Sequence, residues 1–149
     1  MSFIKKFVSS DRINLDLGLL VIRLGIGLSM FLFHGYGKIT GGPDRWEGIG
    51  GSMATFGITF LPTFWGFMAA FSESACSILL ILGVFFRPAA GLLAFTMFVA
   101  VMRHLNLPEG DSGAGWKGAS HALELGCIYL GLLMAGPGRH ALSIGMRRQ

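Results

Sequence analysis

Charge is what this chain has least of. Lysine, arginine, aspartate and glutamate make up 13% of its 149 residues, about half of the roughly 25% usual in soluble domains. The basic residues stand singly or in pairs at the flanks of apolar runs. The net charge of +4 therefore reads as membrane anchoring, and nucleic acid is not an expected partner. Only two cysteines are present, Cys76 and Cys127. Both fall inside apolar runs and form no CxxC, so neither a disulfide framework nor a reactive thiol pair is expected. There is no HExxH, and no flavin, iron–sulfur or thiol-redox motif. Gly37-Lys38-Ile39-Thr40 lacks the upstream glycine and the residue order of a phosphate-binding loop.

What is abundant is apolar. Hydrophobic residues make up 52% of the chain, with 23 glycines and 13 phenylalanines. Glycine is frequent in membrane helices because small residues let backbones approach where water supplies no driving force. Four apolar stretches stand out, at about 17–36, 61–86, 88–105 and 119–135. Each is near the ~20 residues that cross a hydrocarbon core of roughly 30 Å. The expected fold is all-α: one membrane domain over 1–149, built as a four-helix transmembrane bundle.

The second and third stretches are separated only by Arg87 and Pro88, which predicts a tight helical hairpin with Pro88 opening its second arm. Gly136-Pro137-Gly138 should stop the fourth. The first is expected to be a retained span. It begins after Asp11 and Asp16 and leads to His34, Tyr36 and Lys38, not to a small-residue cleavage site.

Between the first and second spans, Trp46, Ile49, Met53 and Phe56 fall at helical spacing. They predict a short interfacial helix over about 44–56 that covers the outer mouth of the bundle; an irregular glycine-rich loop is the bland alternative. The stretch to Ser10 reads as a second short interfacial helix. Lys5, Lys6, Arg12, Arg87, Arg139, Arg147 and Arg148 fall on one side. Lys38, Arg45, Arg103 and Lys117 fall on the other. The heavier set marks the cytoplasm, so both termini are expected there.

Ionisable residues at bilayer depth are costly, normally face the bundle interior and mark function. Arg23, Glu73 and Glu124 are such residues, with His34, His104 and His121 nearer the outer ends. Arg23 lies eleven residues before His34 and Glu73 eleven after Pro62. At ~1.5 Å of rise per residue both sit roughly 16 Å from the outer end, so they are expected to pair; a purely structural ion pair is the competing reading. Arg23-Gly27-Met30-His34, Gly66-Ala69-Glu73-Ser77 and His121-Glu124-Ile128-Gly131 form stripes whose small members suit a cavity wall. The candidate ligand-binding residues are Arg23, His34, Lys38 and Glu73, and the candidate catalytic pair is Glu124 with His121 as its proton exit. Metal or haem ligation is disfavoured, since His121-x-x-Glu124 gives a single i,i+3 pair.

Arg23-Leu24-Gly25 followed by His34-Gly35-Tyr36-Gly37-Lys38 resembles the opening of the DoxX family. Glu73 ahead of Leu79-Leu80-Ile81-Leu82-Gly83 and Arg87-Pro88-Ala89-Ala90 resembles its second helix. Glu124 and Gly136-Pro137-Gly138-Arg139-His140-Ala141-Leu142-Ser143 resemble its end, with Ser143 where the family often has aspartate. The resemblance spans roughly 15–143. It implies a multi-pass protein of the bacterial inner membrane, some relatives being subunits of quinone-linked sulfur oxidation and others tied to oxidative stress.

Two functions follow as expectations. The first is a redox-linked membrane subunit that binds a quinone or similar lipophilic molecule. A partner redox protein would complete the electron transfer, because this chain carries no redox motif of its own. The second is a non-catalytic carrier, transporter or assembly factor in which the buried ion pair locks the fold; no inverted repeat is visible to favour transport. A homo-oligomer is compatible with both.

Overall fold

The computed structural model describes residues 14–142. The expected helix before Ser10, the flanking charges Lys5, Lys6, Arg12, Arg147 and Arg148, and Ser143 lie outside that range. The described residues are helical and include no strand, and four of their helices are long and apolar enough to cross a membrane. These are α1 (Leu15–Ile39), α3 (Pro62–Leu82), α4 (Phe86–Leu105) and α5 (Gly115–Ala135). The chain is therefore a multi-pass membrane protein. A short helix α2 (Gly42–Gly50) and a 3-10 segment (Gly51–Phe56) stand between the first two spans.

Local chemistry sets the ends. The Asn14 side chain caps α1 by accepting from the Leu17 N–H at 3.0 Å, which satisfies one of the free donors of the first turn. Pro62 sits in the first turn of α3, where its missing N–H costs nothing. The hairpin turn comes earlier than the Arg87-Pro88 pair suggests. Gly83 adopts φ 75° and donates to Leu79, and Phe85 is left-handed at φ 44°. Pro88 consequently falls inside the first turn of α4. Gly136 follows α5 at φ 81°.

The spans pair through glycine. A Cβ on Gly35 would collide with the Glu73 carbonyl, one on Gly66 with the Trp46 carbonyl, and one on Gly50 with the Pro62 carbonyl. As the number rises on one side of these contacts it falls on the other, so α1 and then α2 run antiparallel to α3 along its length. The axis of α2 thus follows the N-terminal half of α3, and its apolar face turns to the bundle. Trp46 packs edge-on against Phe67 with centroids 5.1 Å apart, and Phe56 stacks on Phe98 at 5.8 Å. We expect Gly66→Ala to push α2 off α3 at a cost of about 1–3 kcal/mol, the usual range for overpacking. Thermal melts beside Gly48→Ala, whose Cβ would meet nothing, check this; equal melting of the two would refute it.

Leu93, Met97 and Val101 of α4 form the core with Ala119, Ala122, Tyr129 and Leu132 of α5 and Leu80 of α3. The outward faces carry Leu32, Phe33, Phe98, Leu130 and Met134, all more than half exposed. Such a surface suits hydrocarbon and not water.

Candidate functional site

Two of the spans are not α-helical throughout. Phe31–Gly35 in α1 and Ser72–Cys76 in α3 are wound as π-helix. Each such turn admits an extra residue and re-aims the side chains beyond it, and such segments are frequent at functional sites. Here the two wide turns face each other where Gly35 meets the Glu73 backbone. Lys38 follows one turn above, which brings its ammonium down onto Glu73.

The Lys38 Nζ donates to both Glu73 carboxylate oxygens at 2.6 Å. The Glu73 side chain is only 4% exposed and that of Lys38 25%. The supports of the pair are backbone groups held from the side. Trp46 Nε1 donates to the Lys38 carbonyl at 2.8 Å, and the Ser77 hydroxyl donates to the Glu73 carbonyl at 2.9 Å. A charged pair with charge-assisted bonds to both oxygens is the strong form of such an interaction.

The pair forms part of the wall of a cavity of about 400 Å³ between α2, α3, α4 and the 3-10 segment. Its walls are otherwise mainly apolar, with Ile49, Met53, Trp65, Met68, Leu92 and Val99 among the lining residues. Phe64 and Phe95 line it as well and are about half exposed, so it opens between α3 and α4 toward the lipid side. Arg103 and His104 line it at the C-terminal end of α4. The His104 Nδ1 lies 2.7 Å from the Gly113 carbonyl. A carbonyl only accepts, so Nδ1 carries the hydrogen and Nε2 of the neutral ring is left as an acceptor.

Of the candidate residues from the sequence, the structure brings Lys38 and Glu73 together at this cavity. The others do not line it, although His34 stands within electrostatic reach of both Glu73 and Lys38. Arg23 does not pair with Glu73. Its Nη1 donates to the Pro137 carbonyl at 2.7 Å and its Nη2 to the His140 carbonyl at 3.0 Å. The reason is register. Equating the outer ends of α1 and α3 assumes that both spans reach the surface together. In fact α2 prolongs α1 along α3, so Glu73 lies level with Gly35 and Arg23 lies beside Gly83 at the opposite end of the bundle.

His34 is half-buried and stacks on His121 with ring centroids 5.8 Å apart. His121 and Glu124 are exposed on the outside of α5. None of these three lines the cavity. Sequence reasoning left Arg103 out of the site and kept His104 only in a loose outer group. The signal available was the spacing Thr96, Ala100, Arg103 on one face of the third span.

The DoxX family model matches residues 18–105, more than half of the chain. That range holds every residue lining the cavity, together with Arg23 and His34, and stops short of His121 and Glu124. No curated protein and no solved structure matches the chain.

Proposed function

Because the chain belongs to the DoxX family, we propose that it is the membrane subunit of a redox-linked complex and holds a lipophilic molecule of the quinone type between α2, α3 and α4. The observation that carries this reading is the cavity itself: about 400 Å³, mainly apolar, bordered by the buried Glu73 carboxylate with its Lys38 partner and open beside two phenylalanines. Small-molecule sites run to roughly 300–1,000 Å³ with a few convergent polar groups, so the volume and the donor set both fit a quinone ring with part of its tail. A bound quinone would supply reversible two-electron, two-proton chemistry. The chain's own residues supply the rest. Lys38 offers an ammonium donor to a ring oxygen, and Glu73 holds that ammonium in place. Arg103 offers further donors at the outer rim, and His104 an acceptor nitrogen near the water-side loop. Phe64 and Phe95 give a route from the bilayer. The electrons need a partner redox protein.

In the same proposal the bilayer is the bacterial inner membrane, with both termini cytoplasmic. The other reading is a carrier, transporter or assembly factor in which Lys38–Glu73 only locks the bundle.

The two part on content. Organic extraction of purified protein should yield about one quinone per chain. Ala100→Trp, which fills the cavity from α4, should lower that several-fold while the protein melts as before. Equal quinone in both preparations would remove the case for a quinone site.

A further inference from the structure

Glu124 is where the bundle leaves its own chemistry unfinished. It lies nine residues inside the start of α5, roughly 14 Å down a helix of ~31 Å, and so near mid-membrane. Its side chain is on the exposed face, and among the described residues it has no ion-pair partner. A carboxylate turned toward hydrocarbon is expensive enough that such groups face protein or a watery cavity. The cavity beside Lys38 and Glu73 is lined by α3 and α4 but by no residue of α5. No described residue pairs with it, and a second copy of the chain is the partner its surroundings suit.

The rest of the face is built for close approach. His121 lies one turn above Glu124 and is exposed. Cys127 lies one turn below and is exposed too. Gly131, two turns below Glu124, has open space where a Cβ would be. Small residues of this kind let two helices close to backbone distance in lipid, and polar side chains then bond across the seam.

We propose that this face of α5 is the interface between two copies of the chain, related by a two-fold axis along the membrane normal. The argument for a second copy is charge complementarity. The stripe carries one basic ring and one carboxylate a turn apart. A two-fold contact is self-complementary, so what one copy offers the other receives. Glu124 of each copy then meets His121 of the partner subunit on the diagonal, which satisfies both carboxylates with no group from elsewhere. His34, stacked on His121 from within the same copy, holds that ring in place for its partner.

Cys127 makes the test direct, because it is exposed beside the seam while Cys76 is buried. Membranes containing the intact chain are treated with copper phenanthroline and run without reductant. We expect a band of twice the chain's mass that disappears in Cys127→Ser and persists in Cys76→Ser. In a detergent dilution series, Glu124→Leu should weaken dimerisation about tenfold, the scale of one or two interhelical polar contacts. Its melting as a monomer should stay unchanged, since the side chain lies outside its own bundle. Monomer only, or a cross-link to a protein of different mass, overturns the proposal. So does a dimer whose affinity ignores Glu124→Leu. None of these readouts depends on what occupies the cavity.

Discussion

Replacing Lys38 with alanine should destabilise the protein more than any other single change at the cavity. The Glu73 carboxylate is 4% exposed and takes both of its hydrogen bonds from one ammonium at 2.6 Å. Removing that ammonium leaves a carboxylate in a low-dielectric wall without its ion-pair partner. Stranding one member of a buried pair costs about 3–5 kcal/mol. The expected result is a sharp fall in folded yield and in melting temperature for Lys38→Ala.

The double variant Lys38→Met with Glu73→Met should recover most of the loss, because two apolar chains of similar volume carry no charge to desolvate. Its quinone content should stay low, since the polar end of the cavity has gone. Fluorescence-detected size exclusion and thermal melts of the wild type, the single and the double variants measure this. A Lys38→Ala protein as stable as the wild type would show that the pair contributes nothing to the fold.

The four spans were legible in the sequence because a span needs only length and apolar composition, and the runs near 17–36, 61–86, 88–105 and 119–135 have both. The helical character of the segment after α1 was legible from the spacing of Trp46, Ile49, Met53 and Phe56, but its course along α3 instead of flat over the bundle mouth, and its change to 3-10 winding at Gly51, were not. The partner of Glu73 was not. Depth was counted from the ends of the spans, and nothing in the residues says that α2 prolongs α1 outward along α3. That one offset moves Arg23 to the inner end and puts Lys38 over Glu73. The π turns were equally hidden, since they arise from how two helices meet and not from any local pattern in Phe31–Gly35 or Ser72–Cys76.

Glu124 fails for another reason. Periodicity places residues on one stripe but does not say whether the stripe faces in or out. Small neighbours such as Gly131 suit an internal wall and an external seam alike. Gly27 and Gly66 are packing residues, as their stripes suggest, but the spacing does not say which backbone each glycine meets. Gly35 and Gly66 meet α3 or its partner from within the chain, while Gly131 meets nothing there.

The second large effect expected is at Arg23. This arginine is 1% exposed and has no carboxylate beside it among the described residues. What it holds is the segment after α5: the Pro137 carbonyl at 2.7 Å and the His140 carbonyl at 3.0 Å. Two further ties fix the same segment. The Arg139 N–H donates to Asp16 at 2.8 Å and the Leu142 N–H to Leu82 at 3.0 Å. The segment therefore closes the inner ends of α1 and α3 against each other, with the guanidinium at the centre of the clasp.

Hydrogen bonds to charged groups contribute about 1.5–3 kcal/mol each, and Arg23→Met removes two and orphans both carbonyls. We expect a loss of about 3 kcal/mol or more on this scale, together with rapid proteolysis after Gly136 in a segment that the wild type protects. Arg23→Lys should fall between the two, because a single ammonium cannot span both carbonyls as the planar fork does. Asp16→Ala removes the bond from the Arg139 N–H, at an exposed end of the clasp, and should cost about 1 kcal/mol. Melting curves and timed proteolysis of the four proteins measure the order. If Arg23→Met kept the segment as protected as in the wild type, Arg23 would be a bystander and the backbone ties alone would hold the inner end closed.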